Sequence, residues 1–324
     1  MSKIKIGVIG VGALGRHHAR LYKGIENAEV IGIFDLDEKG LNAVAAEFDL
    51  TPYTDMNELV DKCDALSIAV PATKHYEVAV DLLKKGKHLL IEKPLATDIN
   101  HAREIVQIAK EQNLVLGVGH VERFNPAMTY LEEHVSETRF IEVHRLAMYP
   151  PPRPGQHRRG VEVGVVLDLM IHDIDLVLTM VKSELAQIDA VGIPVMSETE
   201  DIANVRLKFK NGAVANITSS RVSQEPTRRF RVFQSDAYIS MDYGKHVGVI
   251  AKKGAEGVEQ EIVQLDDLNA LELELKDFVD CVEKTIVEGK VIPAKVSGEQ
   301  GLKALEVAVK VSEEIVKYNK QHNW

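Results

Sequence analysis

The sequence predicts an α/β protein in which a doubly wound domain with a parallel sheet precedes an α+β domain with a large, mostly antiparallel sheet. Short apolar runs alternate with amphipathic segments over the first 120 residues, as in βαβ units. After about residue 120, strand-like runs follow one another with few helices between them. These two patterns predict one domain over residues 1–120 and a second over residues 121–324.

Five apolar runs in the first domain are predicted to be strands of a buried sheet. Because amphipathic segments separate them, their connections are expected to be right-handed crossovers and their pairing parallel. The predicted strands are Ile4–Ile9, Val30–Asp35, Ala65–Val70, His88–Glu92 and Val115–Gly119, and the predicted helices cover 14–24, 38–47, 57–61, 75–85 and 98–112.

The second domain contains four helical patterns and eight strand-like runs. The segment Lys210-Asn211-Gly212 separates two runs as a hairpin turn does, which predicts antiparallel pairing. Ser297 is the expected N-cap of the last helix, which could pack back on the first domain. One sheet face lacks a covering helix, which favours a homodimer or homotetramer through this sheet over a solvated face. Helices are predicted at 126–135, 166–182, 270–287 and 298–318, and strands at 139–149, 186–194, 203–209, 213–221, 229–235, 237–242, 247–252 and 259–264.

Composition restricts the function classes. The formal charge of −10 over 324 residues argues against nucleic-acid binding, which needs a basic surface. No apolar run approaches the ~20 residues of a membrane helix, and no leader-like segment opens the chain, so a cytoplasmic protein is expected. Cys63 and Cys281 have no metal-ligand spacing and are expected to be reduced thiols, with no metal site.

Arginines concentrate in two clusters of this acidic chain. The clusters are interpreted as local anion sites, with solvated arginines as the alternative. They consist of Arg153, Arg158 and Arg159, and of Arg221, Arg228, Arg229 and Arg231.

A glycine-rich segment follows the first predicted strand and precedes a helical pattern. Gly10 is expected to make a tight turn, Gly12 to admit a pyrophosphate and Gly15 to pack helix on strand. Asp35 follows Gly15 by 20 residues, where a carboxylate binds the ribose hydroxyls. Because no arginine comes directly after Asp35, the pattern predicts NAD rather than NADP. The predicted cofactor-binding residues of the segment are Gly10, Gly12, Ala13, Leu14 and Gly15.

Three more residues have the types that hydride-transfer chemistry uses. Lys93 ends a predicted strand, at the sheet edge where doubly wound domains bind ligands, and Pro94 restrains it to an extended conformation. Asp168 and His172 are four residues apart, on one face of a predicted helix. Apolar neighbours make this helix mostly buried, so the pair needs polar partners. The alternative is a core histidine satisfied within the protein.

The glycine segment Gly10–Gly15, the segment Glu92–Leu95 and the Asp168/His172 pair together resemble the Gfo/Idh/MocA oxidoreductase family. The resemblance extends over the whole chain. It implies that His172 removes the proton of a secondary hydroxyl while hydride passes to NAD, that Lys93 stabilises the developing negative charge, and that Asp168 orients His172.

The same resemblance implies further cofactor contacts. Val70, His75 and Glu92 match positions near the cofactor in the family. The chain departs from the family pattern at Ala72, where many members have asparagine, so the resemblance implies no cofactor contact at Ala72; Thr73 is the alternative.

Segments 119–126 and 167–175 resemble the branch of the family that contains UDP-N-acetylglucosamine 3-dehydrogenases. Such enzymes supply 3-amino sugars to lipopolysaccharide biosynthesis, and the resemblance implies a UDP-N-acetylhexosamine substrate. Arginine suits a diphosphate because its guanidinium binds phosphate oxygens bidentately. The candidate substrate-binding residues are Arg123, Asn125, Tyr149, Arg153, Arg158 and Arg159.

Three alternatives stay open at this point. A free sugar, inositol or other polyol would replace the nucleotide sugar as substrate. An NAD-dependent glycosidase would use transient oxidation to cleave a glycoside. A non-enzymatic NAD-binding regulator would share the fold, although it has no need of Lys93, Asp168 and His172 together.

Overall fold

A computed structural model describes residues 3–152, 160, 163–255 and 257–324. The chain divides into two compact units, of which the first comprises Met1–Phe124 and Asn269–Leu302 and the second Asn125–Leu268 and Lys303–Trp324. Residues 269–302 lie beyond the predicted division at residue 120, yet they group with the first unit. Their apolar side chains share a core with those of the first strand and first helix.

The first unit contains a parallel sheet of six strands in the order β3-β2-β1-β4-β5-β6. All neighbouring strands are parallel, which confirms the predicted doubly wound sheet. The two-residue strand β3 was not predicted. The strands are β1 (Ile4–Ile9), β2 (Ala28–Phe34), β3 (Pro52–Tyr53), β4 (Ala65–Ile68), β5 (His88–Glu92) and β6 (Leu116–Gly119), and the helices are α1 (Gly15–Tyr22), α2 (Glu38–Phe48), α3 (Met56–Lys62), α4 (His75–Lys84) and α5 (Ile99–Glu111).

The strands of this unit are apolar because helices cover both faces of a doubly wound sheet. All four residues of β4 and all five residues of β5 are buried. The strand order reverses its direction of growth between β1 and β4, so the carboxyl ends of β1, β4 and β5 form the edge at which such sheets bind ligands. Short 3₁₀ turns at Ala72–Lys74 and Val121–Phe124 follow β4 and β6.

The second unit contains an eight-stranded sheet in the order β14-β13-β12-β11-β7-β10-β9-β8. Six of its seven neighbouring pairs are antiparallel, and only β7 and β10 pair in parallel, which confirms the predicted mostly antiparallel sheet. The strands are β7 (Phe140–Leu146), β8 (Leu185–Ile193), β9 (Ile202–Phe209), β10 (Val214–Ser220), β11 (Thr227–Phe233), β12 (Ala237–Asp242), β13 (Val247–Gly254) and β14 (Gly257–Gln264).

Side chains on this sheet alternate between a buried and a more exposed face. In β9, Val205 and Leu207 are buried while Asn204 and Arg206 are exposed. Helix α6 (Pro126–His134) contacts β12, and helix α7 (Ile171–Val181) contacts β7 and β10. A π-helical turn, Val166–Met170, leads directly into α7.

Two long helices complete the chain, α8 (Ala270–Glu288) and α9 (Gly298–His322). Helix α8 packs on α1, with Leu275, Phe278 and Val279 buried in the core of the first unit. In the part of the chain that the structure describes, no helix has the length and apolar character to cross a membrane.

Candidate active site

The glycine loop after β1 has the geometry that a bound pyrophosphate requires. Gly10 has φ +85°, and a Cβ there would lie 2.8 Å from the Ala69 carbonyl carbon. A Cβ on Gly15 would lie 1.8 Å from the Gly10 carbonyl oxygen, so the helix can approach the strand only with glycine there. A Cβ on Gly12 would meet nothing within 4 Å, which leaves room above the loop for a ligand.

The start of α1 is suited to an anion. Leu14 is the N-cap residue, and it offers no side-chain acceptor to the first backbone N–H groups. The first turn has no acidic residue. Backbone donors and the helix dipole therefore favour negative charge at this end.

Asp35 lies beside the same loop, at the carboxyl end of β2. Its Oδ2 accepts a hydrogen bond from the backbone N–H of Val11 at 2.7 Å, and its Oδ1 accepts one from that of Asp37 at 2.9 Å. These bonds hold a carboxylate next to the glycine loop, where it can bind ribose hydroxyls and repel a 2′-phosphate. The residues present therefore fit NAD.

His75 joins the loops that follow β4 and β5. Its Nδ1 lies 2.8 Å from the Pro94 carbonyl oxygen and its Nε2 lies 2.9 Å from the Val70 carbonyl oxygen. Burial lowers the pKa of His75, and this effect is larger than the opposite effect of the hydrogen bonds to the two carbonyls. The ring is buried between these loops, so it fixes the backbone around Val70 and Pro94. Thr73 is exposed in the neighbouring 3₁₀ turn.

Lys93 follows β5 directly and is half-buried, and its peptide bond to Pro94 is cis. Glu92, the last residue of β5, is buried instead. The Nε2 of His18 lies 2.9 Å from Glu92 Oε1, and the backbone N–H of Lys93 donates to Oε2 at 3.3 Å. The Glu92 carboxylate thus lies in a buried network beneath the loop.

Sequence reasoning missed His18 and Ser67, which belong to this network, and Glu274, whose buried carboxyl interacts with the charge of Glu92. Polar residues within the otherwise apolar β4 and on the buried faces of helices were the available signal. Glu274 could not have been assigned here from sequence because α8 is about 180 residues from β5 along the chain.

Asp168 and His172 lie on either side of the junction between the π-helical turn and α7, and both are half-buried. Such turns within helices are frequent at functional sites. Gly160, with φ +79°, lies against Asp168, since a Cβ there would be 2.4 Å from Asp168 Oδ2. The segment 166–182 was expected to form a single α-helix. It begins instead with the π-helical turn, and this turn contains Asp168, the predicted catalytic acid.

A buried ion pair fixes the residue after His172. Asp173 is 0% exposed and accepts from Arg145 Nε at 2.9 Å and from Arg145 Nη2 at 3.0 Å. The Tyr243 hydroxyl donates to Asp173 Oδ1 at 3.0 Å, and the Arg145 guanidinium lies over the Tyr243 ring. Three elements, β7, α7 and the segment after β12, are thereby joined beside His172.

The predicted substrate-binding residues differ in their burial and in the hydrogen bonds that they make. Asn125 caps α6, because its Oδ1 accepts from the Ala127 N–H at 3.0 Å, and its Nδ2 donates to the Tyr243 carbonyl at 3.1 Å. Arg123 is buried in a 3₁₀ turn. Tyr149 is half-buried and donates to the Met196 carbonyl at 3.3 Å. Arg153, Arg158 and Arg159 lie outside the described residues.

The interpretation of the second arginine cluster as an anion site is wrong for Arg221. Arg221 is 1% exposed and pairs through Nε with Asp201 at 2.7 Å. Its Nη1 donates to the Gly160 and Val163 carbonyls, and its Nη2 donates to Ser197 and Thr199. Although burial raises the pKa of Asp201, the N–H of Met196 and the Arg221 guanidinium hold it well below its usual range.

Arg221 therefore anchors the backbone at Gly160, the residue that contacts Asp168.

Cys63 and Cys281 are buried free thiols, and burial raises the pKa of each to about 12. Neither thiol is suited to react as a thiolate at neutral pH.

Comparison with known proteins identifies the family of the chain. Residues 4–120 match the model of the oxidoreductase family with an NAD-binding Rossmann fold, and residues 132–240 match the Gfo/Idh/MocA C-terminal domain. The UDP-N-acetylglucosamine 3-dehydrogenase of Acidithiobacillus ferrooxidans is 36% identical over 87% of this chain and 90% of its own. Its crystal structure superposes with a TM-score of 0.89, covering 97% of this chain and 98% of that chain at 35% identity.

A second relative acts on a polyol. The myo-inositol 2-dehydrogenase of Thermotoga maritima is 29% identical over 93% of both chains. Together, the two matched domains and the extent of these similarities show that the chain belongs to the Gfo/Idh/MocA family of NAD-binding oxidoreductases.

Proposed function

We propose that this NAD-dependent dehydrogenase oxidises a secondary hydroxyl of a UDP-N-acetylhexosamine to a ketone, as a 3-dehydrogenase does. The observation that carries the proposal is the similarity, along nearly the whole chain, to a protein named UDP-N-acetylglucosamine 3-dehydrogenase. The half-buried Lys93, Asp168 and His172 support it, because they retain the acid, base and cation that such a reaction uses.

In the proposed reaction, His172 accepts the hydroxyl proton as general base, a role worth roughly 10²–10⁴ in rate. Lys93 donates a hydrogen bond to the same oxygen and stabilises its growing negative charge. Asp168 orients the His172 ring. NAD, when bound at the glycine loop and Asp35, supplies the two-electron acceptor.

Turnover of candidate substrates tests the proposal directly. Purified protein is incubated with NAD and either UDP-N-acetylglucosamine, UDP-N-acetylgalactosamine or myo-inositol, and both NADH absorbance and product mass are recorded. Loss of two mass units from a UDP-sugar is the expected result. Lys93→Met and His172→Ala should each lose most turnover and keep NAD binding, whereas Lys74→Met, an exposed lysine of the same unit, should behave as the native protein.

The predicted arginine cluster provides a separate test of the nucleotide part of the substrate. Replacement of Arg158 and Arg159 together by alanine should raise KM for the UDP-sugar more than it lowers kcat, which is the signature of lost uniform binding. An unchanged KM, or turnover of uncharged polyols alone, would require the nucleotide-sugar proposal to be abandoned.

Oxidation of a polyol is the second candidate, and the similarity to a myo-inositol 2-dehydrogenase favours it. An NAD-dependent glycosidase would instead release nitrophenol from a nitrophenyl glycoside.

With the UDP-sugar as substrate, we also propose a cytoplasmic role in lipopolysaccharide biosynthesis, since the reaction gives the ketone from which a 3-amino sugar is made.

We propose in addition that the exposed face of the eight-stranded sheet mediates assembly into a homodimer or homotetramer. Polar side chains on this face bond to each other across strands, with Asn204 donating to Thr218 Oγ1 at 2.8 Å and Arg206 donating to Asn216 at 3.1 Å. Light scattering after size-exclusion chromatography should give a mass of two or four chains, and Thr218→Arg, which adds a bulky charge to this face, should shift it to one.

A further inference from the structure

A chain of buried hydrogen bonds ends at the residue before Lys93. Tyr22, Ser67 and His18 are each 0% exposed. The Tyr22 hydroxyl donates to Ser67 Oγ at 3.4 Å, and Ser67 Oγ lies 2.8 Å from His18 Nδ1. His18 Nε2 lies 2.9 Å from Glu92 Oε1.

One assignment of protons satisfies this whole chain. Glu92 can only accept, so His18 Nε2 carries a proton, and Nδ1 is then free to accept the Ser67 hydroxyl proton. Ser67 in turn accepts from Tyr22. The hydrogen bonds therefore all point the same way, towards the Glu92 carboxylate, and each polarises the next.

The fold leaves space for this carboxylate at one position of the neighbouring strand. Glu92 pairs with Gly119 across β5 and β6. A Cβ on Gly119 would lie 2.9 Å from Glu92 Oε2 and 3.1 Å from its Cα. Glycine at 119 thus allows the Glu92 side chain to turn into the unit beneath the Lys93 backbone.

The charge on Glu92 is well defined. Although burial raises the pKa of Glu92, the hydrogen bond from His18 and the charge of Lys93 bring it below its ordinary value. Burial and the nearby Glu92 and Asp277 raise the pKa of Glu274, which is 2% exposed on α8, well above its ordinary value. Neighbouring carboxyls whose pKa values are shifted in opposite directions are typical of functional sites.

We propose that Glu92 is a positioning residue for Lys93, fixed by the hydrogen-bond chain that ends at His18. A buried carboxylate costs several kcal/mol of desolvation, and apolar side chains in its place would often be as stable. The Glu92 carboxylate has a function next to Lys93 if that lysine stabilises a developing alkoxide, because it can hold the lysine in place. The fixed negative charge attracts the Lys93 ammonium and directs it, and the inference in this form rests on the proposed function.

Two isosteric or near-isosteric variants test the proposal by separating kcat from binding. Glu92→Gln removes the charge and keeps the shape, and Ser67→Ala removes the hydroxyl that orients His18. With UDP-N-acetylglucosamine and myo-inositol as probes, Glu92→Gln should lower kcat by about 10- to 100-fold, because small misplacements of a catalytic group have effects of this size. KM and the Kd for NAD should stay within about threefold, and Ser67→Ala should lower kcat by roughly 3- to 10-fold.

Ser219→Ala is the matched control, since Ser219 is a fully buried strand serine whose hydroxyl has no hydrogen-bond partner among the described residues. It should not change kcat. Native kcat in Glu92→Gln would overturn the proposal. If Glu92→Gln does not fold, native kcat in Ser67→Ala would overturn it instead.

A measurement on Lys93 itself separates this inference from the proposed function. Lysines are reductively methylated with ¹³C, and the Lys93 resonance is assigned by its loss in Lys93→Met. Glu92→Gln and Ser67→Ala should move or broaden this resonance, and Ser219→Ala should not. If the native protein oxidises neither probe, the proposed function fails, but the Lys93 resonance still tests the inference about Glu92. A Lys93 resonance that does not change in Glu92→Gln would overturn that inference.

Discussion

Glu274 makes the stability of the first unit depend on pH, and this dependence is measurable. The residue is buried on α8, and neither of its carboxyl oxygens has a hydrogen-bond partner among the described residues. Burial, together with the charges of Glu92 and Asp277, raises its pKa well above the ordinary value of 4.5. The folded protein therefore keeps a proton on Glu274 at a pH where the unfolded chain has lost it.

The sign and size of the effect follow from proton linkage. Because the folded-state pKa lies above the unfolded one, the contribution of Glu274 to stability is fully present below about pH 4.5 and is lost as the pH rises towards the folded pKa. Each pH unit in this window lowers the unfolding free energy by about 1.4 kcal/mol.

Glu274→Gln removes the titrating group and keeps the shape of the protonated acid. The variant should therefore gain stability over the native protein as the pH rises above 4.5, by up to about 1.4 kcal/mol per pH unit. Urea unfolding at pH 5.5, 6.5 and 7.5 measures this gain. Hydrogen exchange of peptides from β5 and α8 assigns it to the first unit.

Glu272→Gln is the matched control, because Glu272 is exposed on the same helix two residues away. Its stability should follow the native pH dependence. The reasoning would be refuted by native and Glu274→Gln curves that stay parallel over this range, since Glu274 would then titrate alike in the folded and unfolded states.

Three other predictions concern single residues, one in the first unit and two in or next to the second. Asp35→Ala should narrow the preference for NAD over NADP in binding titrations, because the carboxylate that repels a 2′-phosphate is gone; equal native affinities would contradict the assignment. Gly160→Ala should lower kcat by 10-fold or more, on the order of one misplaced catalytic group, because a Cβ at φ +79° would lie 2.4 Å from Asp168 Oδ2. Arg145→Met removes the cation that pairs with the buried Asp173 and should destabilise the second unit by about 3–5 kcal/mol, measured by calorimetry; an unchanged stability would contradict this reasoning.

Most of the fold could be predicted because local pattern and tertiary structure agree in it. The continuous apolar runs that became β1 and β5 have the predicted bounds, Ile4–Ile9 and His88–Glu92. The hairpin signal at Lys210-Asn211-Gly212 lies between β9 and β10, which pair antiparallel. The glycine loop was predictable for the same reason, since its glycines are required by contacts within one βαβ unit.

What could not be predicted depends on contacts between distant segments. The pattern at 166–182 shows apolar helical spacing, and only the surroundings reveal the π-helical turn before α7. Arg221 belongs to an arginine-rich segment in the sequence, yet its partner Asp201 is 20 residues away and removes it from the surface. Glu274 lies in an amphipathic helix, and nothing local indicates that its position faces a second carboxyl.

In both units, a buried carboxylate is the immediate sequence neighbour of a proposed catalytic residue. Glu92 precedes Lys93 and is held by His18, while Asp173 follows His172 and is held by Arg145. Consecutive residues share a peptide unit, so fixing one side chain inside the protein restricts the backbone from which the next one projects. Buried charges are costly, and two such pairs at these positions are better explained by the geometry they impose than by stability. We therefore expect the same relation in each unit: a charge held in the interior restricts the backbone of the adjacent residue, for which we propose a catalytic role.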